Sequence, residues 1–111
     1  MAFDVITPAQ MGRGAITAVT ATFYTVGSLT RSILKTIDIC NTTISSKRVT
    51  VYLVPSGGSA SDSTTLIGNV LIPAYGVFQW AGSQVLNTGD TIRAVASSTG
   101  CTLNASGAEV I

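Results

Sequence analysis

The chain has 111 residues, 46% hydrophobic and only 10% charged, whereas an average soluble domain carries about 25% charged residues. Twelve Ser and sixteen Thr fill the gap, and six basic against five acidic residues leave a net charge of +1. That balance excludes the electrostatic footprint of a protein that binds nucleic acid or acidic lipid.

At 11.4 kDa folding buries roughly 65% of the chain's surface, enough for one core and too little for two domains. The uncharged stretch 63–89 is broken by Gly68, Asn69, Pro73, Gly76 and Gly82. It does not supply the roughly 20 apolar residues of a spanning helix. Met1-Ala2-Phe3-Asp4 has no basic region followed by an apolar one, so no signal peptide is expected. High β-branched content with little charge argues against disorder.

Residues 1–14 show no sustained period and end in Gly12-Arg13-Gly14, which predicts an arm preceding one domain at 15–111. Such an arm can order against a neighbouring subunit, with Phe3, Val5, Ile6, Met11 and Arg13 as its candidate interface residues. Residues 15–24 alternate and predict a strand with Val19, Ala21 and Phe23 on one face. Residues 32–40 alternate again, placing Ile33, Lys35, Ile37 and Ile39 opposite Leu34, Thr36, Asp38 and Cys40. The clearest strand is 48–54, with Val49, Val51 and Leu53 on one side, ended by Pro55-Ser56-Gly57-Gly58.

A fourth strand is predicted at 64–72, with Leu66, Val70 and Ile72 sharing a face. Residues 77–80 and 84–86 are short extended pieces around Ala81-Gly82-Ser83, the signature of a bend or bulge. Asn87-Thr88-Gly89-Asp90 is a tight turn, followed by 91–96 with Ile92, Ala94 and Ala96 inward and Arg93 outward. Residues 101–111 form a last strand. Seven or eight strands at this spacing, with no helical stripe and no repeat, predict an all-β chain. The expected architecture is one antiparallel β-sandwich, jelly-roll or immunoglobulin-like, behind an N-terminal arm.

Catalysis has little to work with. There is no histidine, the most frequent general base and metal ligand. The five acids, Asp4, Asp38, Asp62, Asp90 and Glu109, show no spacing that predicts a paired-carboxylate site. Cys40 and Cys101 are too few for structural zinc, and in a chain made in the cytoplasm they are expected to stay reduced. Gly12-Arg13-Gly14 lacks the rest of a dinucleotide fingerprint. No catalytic, metal-binding or cofactor-binding residue is expected, and so no cofactor. The aromatics fit core or interface positions best. Tyr75, Trp80 and Gln84 are the candidate ligand or interface anchors, in the ligand case an exposed aromatic beside polar groups that would suit a sugar.

Six segments follow one another in a recognisable order. They are Phe23-Tyr24-Thr25-Val26, Ile37-Asp38-Ile39-Cys40-Asn41-Thr42, the run from Val49 through Pro55-Ser56-Gly57-Gly58, Val70-Leu71-Ile72-Pro73-Ala74, Gln84-Val85-Leu86-Asn87-Thr88-Gly89-Asp90-Thr91-Ile92, and Ala105-Ser106-Gly107-Ala108-Glu109-Val110-Ile111. Together they resemble the small β-sandwich virion proteins of tailed bacteriophages over residues 20–111. The resemblance implies a structural, non-enzymatic component of the particle, made in the host cytoplasm. First comes a multimeric capsid decoration or cement protein stabilising the head; a collar, tail or fibre component, with a sugar-binding module for host attachment, is the alternative. It also implies self-association, with trimers as one arrangement, and contact with other virion proteins such as the major capsid protein.

Overall fold

The computed structural model describes residues 6–110. Eight strands follow in order: β1 (Ile6–Ile16), β2 (Ala21–Thr25), β3 (Arg31–Asn41), β4 (Lys47–Val54), β5 (Thr65–Ile72), β6 (Val77–Leu86), β7 (Thr91–Ala96) and β8 (Cys101–Val110), with one 3₁₀ turn at Asp62–Thr64. They form two four-stranded sheets, ordered β1-β8-β3-β6 and β2-β7-β4-β5, and every pairing is antiparallel. Each connection except β4 to β5 crosses from one sheet to the other. That winding is a jelly roll, one of the two architectures expected from the strand count, and the immunoglobulin-like alternative drops out.

The core lies between the sheets. Leu34, Ile37 and Ile39 of β3 and Leu103 of β8 meet Val49 and Val51 of β4 and Ile92 of β7, all fully buried. Ile92, Ala94 and Ala96 point inward as their alternation predicts. The folded chain exposes 5887 Å², close to the roughly 5,800 Å² expected of a globular chain of this mass.

Bulges account for the differences from the sequence pattern. In β3 the register against both neighbours shifts between Leu34 and Thr36. The extra residue, Lys35, inverts the alternation. Leu34 therefore faces the core with Ile37 and Ile39, and Ile33 faces outward, the reverse of the strict period-two reading. In β6 a single strand runs through Ala81-Gly82-Ser83, where Gly82 and Ser83 together oppose the single Lys35, a bulge at the position the sequence predicts. In β5, Ile67 and Ile72 are buried while Leu66 and Val70 are only partly so. Asn69 there adopts a left-handed φ of 48° and breaks the alternation.

Two further corrections concern the start of the chain. The run 15–24 is not one strand: it comprises the end of β1, a turn at 17–20 and β2. Residues 6–14, read as an arm, belong to β1, which pairs along its length with β8. The division after Gly14 thus falls inside a strand. A register shift between Gln10 and Gly12 sends Met11 into the core, fully buried. That bulge erased the period that would have revealed the strand.

Candidate functional site

The loops gather at the two ends of the sandwich. At one end, which we call the apex, lie 17–20, 42–46, 73–76 and 97–100. Asn41, the last residue of β3 and fully buried, ties three strand ends together there. Its amide nitrogen donates to the carbonyls of Ser45 (2.8 Å), Ile72 (3.1 Å) and Pro73 (3.1 Å). Its Oδ1 accepts from the Thr43 amide at 3.0 Å and the Thr43 hydroxyl at 2.7 Å. Backbone bonds from Thr42 to Gly100 and from Tyr75 to Thr43 draw the neighbouring loops onto the same knot. Above it the apex holds Val19, Ile44 and Tyr75 out into solvent, 73%, 81% and 66% exposed. A polar residue ending an apolar strand carries no sequence signal for such a role, and Asn41 looked like the first residue of a loop.

At the opposite end the sheets are joined by a polar bridge. The Tyr24 hydroxyl on β2 lies 2.5 Å from the Glu109 carboxylate on β8 and 2.7 Å from the Ser32 hydroxyl on β3. Burial, reinforced by the adjacent carboxylate, pushes the phenol up to about 12. Nearby, Asp90 caps the turn at 87–90 by accepting from the amides of Ser56 and Asn87.

An open cleft of about 500 Å³ lies on the outer side of the first sheet, lined by residues of β1, β3 and β8 including Pro8, Gln10, Arg13, Asp38, Asn104 and Ser106. Arg13 Nε donates to Asn104 Oδ1 at 2.9 Å. The half-buried Asp38 carboxylate makes no hydrogen bond or ion pair among the described residues. An Arg, an Asp and a few amides can hold a polar partner. They do not amount to a nucleophile with its base, and no group of three potential metal ligands occurs among the described residues.

The sequence-predicted site residues are scattered. Phe3 and Val5 lie outside the described residues. Ile6 is 66% exposed at the start of β1, Arg13 lies in the cleft, and Met11 is in the core, where no neighbour can reach it. Tyr75 is at the apex. Trp80, opposite Ile37 in the ladder, packs against the core, its ring closing over Gly82. Gln84 lies beyond the β6 bulge, nine residues from Tyr75, about 30 Å along an extended strand. These three anchors are not brought together. Cys40 and Cys101 are free thiols. Although their strands are neighbours, Cys40 pairs with Thr102 on the outer side and Cys101 with Asn41 on the inner side, so their side chains point apart.

No protein-family model matches the chain, and no curated protein does. Among solved structures it is similar to a chain in the structure of infectious bursal disease virus, Gx strain, with a TM-score of 0.58 at 14% identity over 96% of this chain and 32% of that one. A chain of the Gt strain aligns at a TM-score of 0.36 and 16% identity over 97% and 29%, too loosely to bear on fold. The chain thus spans about a third of the viral chains it matches. The Gx likeness is one of fold: nearly all of this chain is spent on a jelly roll that the viral chain also contains.

Proposed function

We propose that the chain is a structural protein of a virus particle, and within that class a multimeric decoration or cement subunit of a phage head. The observation that carries the reading is the jelly roll itself: 96% of the chain superposes on part of a chain from a virus structure. Sparse charge and the apolar apex of Val19, Ile44 and Tyr75 fit a surface meant to be covered by neighbours. The bacteriophage assignment rests on the sequence resemblance, and so does contact with the major capsid protein.

The test is stoichiometry. Purified particles are quantified by mass spectrometry, and the recombinant protein is added to particles stripped of it. Copies comparable in number with the shell protein, and saturable rebinding that resists heat release of the genome, support the decoration role. A few copies per particle would place it instead in the collar, tail or fibre. Absence from particles would refute the reading. A sugar-binding role has lost its geometric basis in Tyr75, Trp80 and Gln84, which do not converge.

A further inference from the structure

Paired residues of an antiparallel ladder project from the same side of a sheet, so register arranges the outer side of the first sheet into rows. One row is apolar on every strand: Pro8, Ala108, Ile33 and Val85. Ile33 joins it only because the β3 bulge turns it outward, and Val85 is 64% exposed. Another row is polar: Arg13, Asn104, Asp38 and Gln79. We propose that this face is where two copies of the chain meet, sheet against sheet, about a twofold axis running along β8.

The argument is one of complementarity. A half-turn about an axis parallel to the strands and above β8 leaves β8 facing its own copy and exchanges β1 with β3. Arg13 then faces Asp38 of the partner subunit, and Asp38 faces Arg13 of the partner subunit. Within one chain these two groups stand two strands apart, about 10 Å, and Arg13 is turned to Asn104. Its guanidinium retains N–H donors, and the half-buried Asp38 has no partner among the described residues. The same half-turn sets Pro8 against the apolar Ile33 of the partner subunit. On the axis itself lie Thr102, Asn104, Ser106 and Ala108, short side chains that let two sheets approach to the usual 10 Å or so. One operation therefore satisfies the charge pair and the apolar row at once, as an isologous contact requires.

The extent is adequate but small. Three to four strands of ten residues cover about 500–650 Å² per copy, or about 1,000–1,300 Å² in total, at the lower end of specific interfaces. Such a dimer is weak alone and is strengthened when copies are arrayed on a common support. The symmetry is that of a twofold, not of the trimer that the sequence resemblance implies. The inference does not depend on the virion reading: a dimer that binds no particle would keep the one and sink the other.

Sedimentation equilibrium provides the test, on the full chain as wild type, Arg13→Asp, Asp38→Arg and the double reversal. Both side chains lie on the surface, and thermal melts confirm that each variant folds. The wild type dimerises with increasing concentration, each single reversal weakens the dimer about tenfold or more, and the double reversal restores it to within a few-fold. In parallel, Ala108→Cys in a Cys40→Ser background cross-links to its own copy with a short bis-maleimide that spans sheets about 10 Å apart, whereas Thr22→Cys on the second sheet does not. A wild type monomeric throughout, a double reversal no better than the singles, or equal cross-linking at both positions would overturn the proposal.

Discussion

Replacing Asn41 by Ala removes the knot that holds the apex. The amide has two hydrogens for three carbonyls, so its donor side is worth about two bonds, and Oδ1 accepts two more. At about 1 kcal/mol net for each, with the carbonyls and the Thr43 amide left to find water, the loss comes to about 3–4 kcal/mol. For a chain of this length, that lowers Tm by about 13–17 °C. Urea titration followed by tryptophan fluorescence gives the free energy, and an unchanged m-value establishes that the unfolded reference is the same. Asn41→Asp sharpens the test. It keeps the size and the acceptor but turns a carboxylate oxygen toward three carbonyls. At neutral pH it is therefore more damaging than Ala, and it recovers as acid protonates the carboxyl. A cost below about 1 kcal/mol for Asn41→Ala would mean that the bonds to Ser45, Ile72 and Pro73 do not hold the apex, and the reasoning would fail.

Three further outcomes follow from packing and protonation. Gly107→Ala is expected to prevent folding or to cost several kcal/mol, because a Cβ there would come within van der Waals distance of the fixed Ile33 carbonyl and of Met11 Cε, 3.0 Å away; soluble yield and Tm check it. Tyr24→Phe costs about 1 kcal/mol at neutral pH, a modest figure because the bridge is partly solvated. The wild-type phenol is raised from 10.0 to about 12, so its contribution is complete below pH 10 and fades as pH rises toward 12. Alkaline titration should show that loss in the wild type and not in the Phe variant. Native labelling with a thiol reagent should modify Cys40 alone, because Cys101 is buried and its thiol is pushed up by that burial. Denaturant should release the second equivalent, and intact mass should be the same with and without reductant.

Most of the sandwich was legible because period-two alternation survives wherever a strand is regular. Residues 48–54 and 91–96 declare their inner faces, and Asn87-Thr88-Gly89-Asp90 declares its turn. Alternation fails wherever one extra residue enters a ladder. The β3 bulge at Lys35 exchanged Ile33 and Leu34, and the β1 bulge hid a strand beneath Gly12-Arg13-Gly14 and made Met11 look like an interface residue. Propensity cannot show either, because a bulge is settled by the partner strand. The apex was hidden for a different reason. Asn41 bonds Thr43 and Ser45 locally, but what ties β3 to β5 is its reach to carbonyls 31 and 32 residues away, and no local pattern marks so distant a partner. The outer rows of the first sheet likewise exist only once register is known.

The strand order has a consequence for when the molecule can exist. β8, the latest strand in sequence, sits between β1 and β3, the first and third. On a ribosome, where synthesis proceeds at about 5–20 residues per second, the second sheet has all four of its strands once β7 has emerged. The first sheet then still consists of separated pieces. β1 has no partner in its sheet until residues 101–110 arrive, and the apolar row stays split, with Pro8 apart from the paired Ile33 and Val85. Long-range closure of this kind is slow, and it acts as a checkpoint: a nascent or shortened chain cannot present the outer face of the first sheet. Only copies in which β8 has closed the first sheet would be competent to join one another.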